Sequence, residues 1–135
     1  MRIMIDTNVI ISSALFPHGR TAQALYKALQ PPCIPVLCDY VIDEVHRKIL
    51  EKWPHRQMEM ESFLFQITQC IEVVSAPSEK IESELLIRDP KDRPILRAAL
   101  DAHADLFLTG DKDFLESAII DPRIVSPADF LTESY

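Results

Sequence analysis

Arg2-Ile3-Met4-Ile5-Asp6-Thr7-Asn8 opens the chain, and Leu106-Phe107-Leu108-Thr109-Gly110-Asp111-Lys112-Asp113 follows the same plan near its other end. In each, a short unbroken apolar run leads to acidic residues, directly at Asp6 in the first and through Thr109-Gly110 to Asp111 in the second. A run without apolar–polar alternation reads as a strand buried on both faces, the kind that fills parallel sheets. A carboxylate just beyond such a strand stands at its C-terminal edge, where open α/β sheets bind ligands. Charge is costly at the edge of a core unless something compensates it. Between the two stretches lie Glu44, inside an apolar-periodic helix, and Asp92, at a helix start. Carboxylates gathered there, with few cations close in sequence, ask for a divalent metal.

Outward from these strands, elements alternate. Asn8 to about Phe16 reads as a helix ending before Pro17. Thr21 is a plausible cap for a helix carrying Ala22, Leu25 and Leu29, stopped by Pro31-Pro32. Ile34 to Leu37 is the second strand. Asp39 then caps a long helix that turns Val41, Ile42, Val45, Ile49 and Trp53 inward and ends at Pro54. Met60, Phe63, Leu64, Ile67 and Ile71 mark a further helix, and Ile71 to Val74 a third strand. Asp89-Pro90-Lys91-Asp92 has the form of a type I turn. Because Pro94 fits only the first turn of a helix, that helix starts near Asp92 and carries Ile95, Ala98, Ala99 and Ala102. A short helix or turn over 113–118, a strand over 123–125 and a helix over 127–131 complete the chain. Strands alternating with helices predict a mostly parallel sheet.

The 135 residues are expected to form a single domain, 1–135, with no linker, repeat or low-complexity stretch. Met1-Arg2 runs straight into the first strand, so no signal peptide is expected, and no apolar run approaches the length of a membrane span. Cys33, Cys38 and Cys70 are scattered and odd in number, which reads as reduced thiols in a cytoplasm. The formal charge of −7 argues against simple electrostatic binding of nucleic acid. It is no veto on a nuclease, since bound cations reverse the local sign of their carboxylates.

Each candidate has an ordinary structural reading beside the functional one. Asp6 either enters the crevice or caps the next helix, and Thr7 and Asn8 either orient a water or make capping and turn bonds. Glu44 is a ligand candidate or a solvated flank paired with Lys48, with Asp43 as the alternative ligand. The dipole at a helix N-terminus favours the ionised form of Asp92, whether it caps or binds metal. Asp89 holds the turn or supports the site. Asp111 follows a buried strand through Thr109-Gly110, where glycine permits a sharp turn or close approach. Asp113 shares the metal or faces solvent, and Lys112 reads as solvated. His18, His46, His55 and His103 show no ligand spacing. Met58 and Phe65 lie off the apolar face of their helix and read as peripheral packing or a partner surface.

Taken in order, Ile5-Asp6-Thr7-Asn8-Val9, Glu44, Arg88-Asp89-Pro90-Lys91-Asp92, the segment from Ala104 to Phe114 and the closing Val125-to-Leu131 stretch resemble the PIN-domain ribonucleases, of the VapC-like toxin kind. The resemblance covers almost the whole chain; no single piece is specific, but the ordered set is. It implies a central parallel sheet flanked by helices on both faces. It also implies a catalytic quartet of Asp6, Glu44, Asp92 and Asp111. Metal would be held by Asp6, Asp92, Asp111 and Asp113, with Thr7, Asn8, Thr109 and Asp89 in support. Mg²⁺ or Mn²⁺ as cofactor, RNA as substrate, an antitoxin partner and a homodimer follow from the same resemblance. Oxygen-only ligands suit such hard cations acting on phosphates.

Other functions compete. A haloacid-dehalogenase-type phosphatase also begins with a strand ending in Asp, but wants a second Asp two residues on, where this chain has Asn8. A non-catalytic RNA- or partner-binding module would tolerate a degraded quartet, yet all four acids are present. A housekeeping RNA-processing nuclease without an antitoxin shares every residue named.

Overall fold

The computed structural model describes residues 1–134; Tyr135, the last residue of the expected domain, lies outside the described residues. Five strands form one sheet: β1 (Arg2–Ile5), β2 (Ile34–Cys38), β3 (Glu72–Val74), β4 (Leu106–Leu108) and β5 (Arg123–Val125). Their order is β3-β2-β1-β4-β5 and every pairing is parallel. Met4 lies opposite Val36 on one side and Phe107 on the other. The two central strands are buried throughout except at Arg2, as unbroken apolar runs require.

Seven α-helices connect and flank the sheet: α1 (Thr7–Leu15), α2 (Arg20–Ala28), α3 (Asp39–Lys52), α4 (Gln57–Thr68), α5 (Arg93–Asp101), α6 (Lys112–Leu115) and α7 (Pro127–Thr132). The chain steps one way along the sheet from β1 to β3, then returns past β1 to β4 and β5. Right-handed crossovers therefore put the connecting helices of the two halves on opposite faces, while α7, after β5, packs on α2. The reversal falls between β1 and β4, so the crevice opens where Asp6 and Asp111 leave their strands.

Packing follows the sequence periodicities. Val41, Val45 and Ile49 of α3, Met60, Leu64 and Ile67 of α4, and Ile95, Ala98 and Ala99 of α5 are buried. Phe107 of β4 stacks on Phe114 of α6 with ring centroids 4.5 Å apart, anchoring the loop that carries Asp111.

Helix starts differ from expectation. Gly19, not Thr21, caps α2. Asp39 is the first residue of α3 rather than its cap, and its Oδ1 accepts from the backbone N–H groups of Tyr40 and Ala76, tying α3 to the end of β3. The stretch between β3 and α5 contains a 3₁₀ turn over Glu82–Leu86 that periodicity did not reveal. Its Glu84 is buried with Arg97 of α5, Nε to Oε2 2.7 Å, while Arg97 Nη1 donates to the carbonyl of Pro77 at 2.8 Å. The Nε contact is not aligned as a hydrogen bond, so it acts as a charge contact that straps this segment onto α5.

Candidate active site

Asp6 caps α1 from the end of β1, its Oδ1 accepting the Thr7 N–H at 2.8 Å. Its other oxygen, Oδ2, accepts the Thr109 hydroxyl at 2.7 Å. Thr109 Oγ1 in turn accepts the Asp111 N–H at 2.9 Å, so one buried hydroxyl fixes the ends of β1 and β4 together. Asn8 Oδ1 closes a second link by accepting the Gly110 N–H at 3.2 Å. Neither a left-handed backbone nor crowding demands glycine at 110: a Cβ there would find Asn8 Oδ1 at 3.9 Å and nothing closer. A sharp turn is therefore not what calls for glycine at 110.

Asp111 caps α6 by accepting the Asp113 N–H at 2.9 Å. Carboxylate oxygens of Asp92, Asp111 and Asp113 lie within 4.8 Å of one another. Asp6 and Glu44 stand outside that tight set. Glu44 reaches the same cleft from α3: about 630 Å³ in volume, it is lined by Tyr40, Glu44, Asp89, Asp92, Asp111 and Asp113 among others. Asp6 is buried beneath it, whereas Asp43 is exposed and does not line it. Among the described residues Glu44 and Lys48 form no ion pair, although both line the cleft.

Electrostatics separate ordinary caps from a charged cluster. Burial pushes the Asp6 carboxyl up to about 6; bonds from Thr109 and Thr7 oppose this, and the charges of Asp111 and Glu44 add to it. Burial also drives Asp92 up to about 7, helped by the charges of Asp6, Asp111, Asp89 and Glu44. The sequence suggested the reverse for Asp92, a carboxylate stabilised by a helix dipole. Its side chain makes no capping bond to α5, and burial, with four neighbouring acids adding to it, outweighs the helix end. Asp89 does hold the turn, Oδ1 accepting the Lys91 N–H at 3.0 Å.

A metal fits these residues. Three carboxylates converge, and the Thr7 hydroxyl oxygen beside Asp6 is buried with no hydrogen-bond partner among the described residues. Oxygen donors with unmet charge are what a hard divalent cation takes.

The sequence reading missed the cations. Arg88 stands 3.7 Å from Asp113, and Arg47, Lys48, Lys52 and Lys91 line the cleft. The spacing of residues 40, 44, 48 and 52 along one helix face is the signal that could have found those of α3.

A PIN-domain family model matches residues 2–113, most of the chain and all of these site residues. The chain belongs to the PIN-domain family. This PIN domain is 22% identical to the uncharacterized protein MJ1680 of Methanocaldococcus jannaschii, over 98% of this chain and 91% of that protein. Among solved structures it resembles VapBC2 from Rickettsia felis bound to a DNA fragment from its promoter. The TM-score is 0.71 at 13% identity, covering 93% of this chain and 98% of that one. DNA-bound VapBC from Salmonella typhimurium gives 0.69 at 14% identity, covering 94% and 98%. These likenesses establish the fold. No helix among the described residues is long and apolar enough to cross a membrane.

Proposed function

We propose that this PIN domain is a divalent-metal-dependent endoribonuclease, the toxin component of a toxin–antitoxin pair acting in the cytoplasm. The observation that carries the reading is the meeting of Glu44, Asp92, Asp111 and Asp113 in one cleft above buried Asp6, from segments far apart in sequence. Family membership supports nuclease chemistry, and the VapBC likenesses support an antitoxin partner.

Asp92, Asp111 and Asp113 would hold the metal, with Asp6 and Glu44 at its margin. Mg²⁺ or Mn²⁺ bound there would supply Lewis-acid chemistry at a phosphodiester. The chain's own residues prepare for this. Thr109 fixes the Asp6 carboxylate and the Asp111 backbone with one hydroxyl. Asp111 commits Oδ1 to the Asp113 N–H, which sets the direction in which Oδ2 faces. Asp92, raised to about 7, carries a proton for much of the time at neutral pH in the metal-free protein and releases it when a cation binds. Thr7 and Asn8 offer a hydroxyl and an amide beside Asp6 to orient substrate or water.

The partner reading rests on exposed apolar side chains. Met58 is 90% exposed and Phe65 67% on α4. Beside them, a groove between α3 and α4 of about 430 Å³ is lined by Ile42, His46, Glu61, Leu64, Phe65 and Thr68. A homodimer or an antitoxin helix would cover this face.

The test is direct. Purified protein should cut single-stranded or structured RNA with Mg²⁺ or Mn²⁺, stop on chelation, and lose cleavage in Asp111→Asn. Cleavage that persists under chelation, or at full rate in Asp111→Asn, refutes the reading.

A further inference from the structure

The cleft above the carboxylates has two electrical halves. Acids occupy the sheet end. Leading away from them on one face of α3 stand Arg47, Lys48 and Lys52, interrupted only by Glu51. Four residues of helix rise about 6 Å, so Lys48 and Lys52 recede from Glu44 by about 6 and 12 Å along the axis. Among the described residues none of these three cations forms an ion pair within 4.0 Å, although acids share the cleft. What distinguishes these three is their place, side by side on one helix face in the cleft that holds the carboxylates.

On the other side of the carboxylates lies a smaller, uncharged recess of about 230 Å³ lined by Asn8, Ser12, Thr21, Gly110 and Pro127. Asn8 and Gly110 join it to the site. A chain of phosphates crossing the site thus meets the row of cations on α3, with Lys91 also lining the cleft, and amide and hydroxyl groups at the recess.

We propose that Arg47, Lys48 and Lys52 bind the phosphates of the RNA strand on one side of the scissile bond, so that α3 holds the substrate by charge along that flank. This rests on the ribonuclease reading. It explains how a chain of net charge −7 takes a polyanion: the basic footprint is local and lies on a rigid helix.

The probe is a fluorescent single-stranded RNA of mixed sequence, followed by cleavage with Mn²⁺ and by anisotropy with Ca²⁺ in place of Mn²⁺, each from 50 to 200 mM KCl. Each phosphate contact on a single strand contributes about 0.7 to the slope of log affinity against log salt. Lys48→Gln/Lys52→Gln should therefore lower that slope by about 1.4, so that over this fourfold salt range wild-type affinity falls about 7-fold more than the variant's. KM should rise and the cleavage rate at saturation should change little. Lys80→Gln, on a different surface, should match wild type in both measurements. An unchanged slope and KM in the double variant overturn the proposal, and would assign the row to an acidic protein segment instead. If wild type binds RNA but cuts none, the ribonuclease reading fails while the anisotropy slope still decides the row. If wild type binds no RNA, the row falls with it.

Discussion

Asp6→Asn should stabilise the metal-free protein and remove its response to metal. Asp6 is buried, and its carboxyl stands at about 6 against an ordinary value of 3.8. At pH 8 the folded state keeps this group ionised at a cost of about 1.36 kcal/mol per unit, or about 3 kcal/mol. Asn removes the charge and keeps Oδ1 for the Thr7 N–H. What it loses is the acceptor facing the Thr109 hydroxyl, worth about 1 kcal/mol. The balance is a gain of about 2 kcal/mol. At about 2.1 cal/mol/K per residue, 135 residues give an unfolding entropy near 0.28 kcal/mol/K, so the melting temperature should rise by about 7 °C. Metal reverses the order. A cation at a hundredfold excess over its dissociation constant stabilises the folded wild type by about 2.7 kcal/mol, and the variant by much less. Scanning calorimetry of both proteins at pH 8, with EDTA and then with Mn²⁺, reads the crossing. A variant that melts below wild type in EDTA would mean that Asp6 is an ordinary cap. Equal Mn²⁺ shifts in both would place the metal elsewhere.

Further outcomes follow from the same forces. The folded-state values of Asp6 and Asp92, about 6 and about 7, lie above the unfolded value, so the native protein takes up protons first as pH falls. Metal-free stability should then rise from pH 8 towards pH 4, with half-buried Asp92 contributing a screened share, and metal binding should weaken over the same interval; calorimetry showing metal-free stability falling from pH 8 to 5 contradicts this. Arg97→Met leaves Glu84 buried without its cation and should cost about 3–5 kcal/mol in urea unfolding, whereas Glu84→Gln/Arg97→Met should recover most of it. Met58→Glu/Phe65→Glu, at two exposed positions, should leave the fold intact and shift the light-scattering mass from twice 15.4 kDa to 15.4 kDa; a wild-type monomer at high micromolar concentration removes the dimer.

The sheet was legible because its central strands are locally unambiguous. Ile3-Met4-Ile5 and Leu106-Phe107-Leu108 contain no polar residue, the first ending directly at Asp6 and the second followed through Thr109-Gly110 by Asp111, charges that a core cannot absorb. Strand ends therefore located Asp6 and Asp111 at the crevice without any knowledge of strand order. The caps were harder, since Thr21 and Gly19 both suit a helix start and only the path of the loop after α1 selects between them. The 3₁₀ turn holding Glu84 was invisible for a different reason. Its stabilising partner, Arg97, lies on another element, and no periodicity links the two.

Asp92 shows where local reasoning changes sign. Its sequence neighbours supply a helix N-terminus, which lowers a carboxyl pKa; its neighbours in space are Asp6, Asp111, Asp89 and Glu44, which raise it. Burial of the carboxyl is the largest cause of the rise, the four carboxylates add to it, and together they exceed the roughly half unit charge of a helix end. The same distinction governs the cations. Summed over the chain, −7 speaks against a nucleic-acid ligand, but the sum is indifferent to position. Folding puts the acids at the strand ends and Arg47, Lys48 and Lys52 on the adjoining face of α3. Six acids and four cations line that cleft, so charges of both signs stand side by side in a chain whose total of −7 does not show it. Such a cleft is therefore read from which residues share a helix face, not from composition.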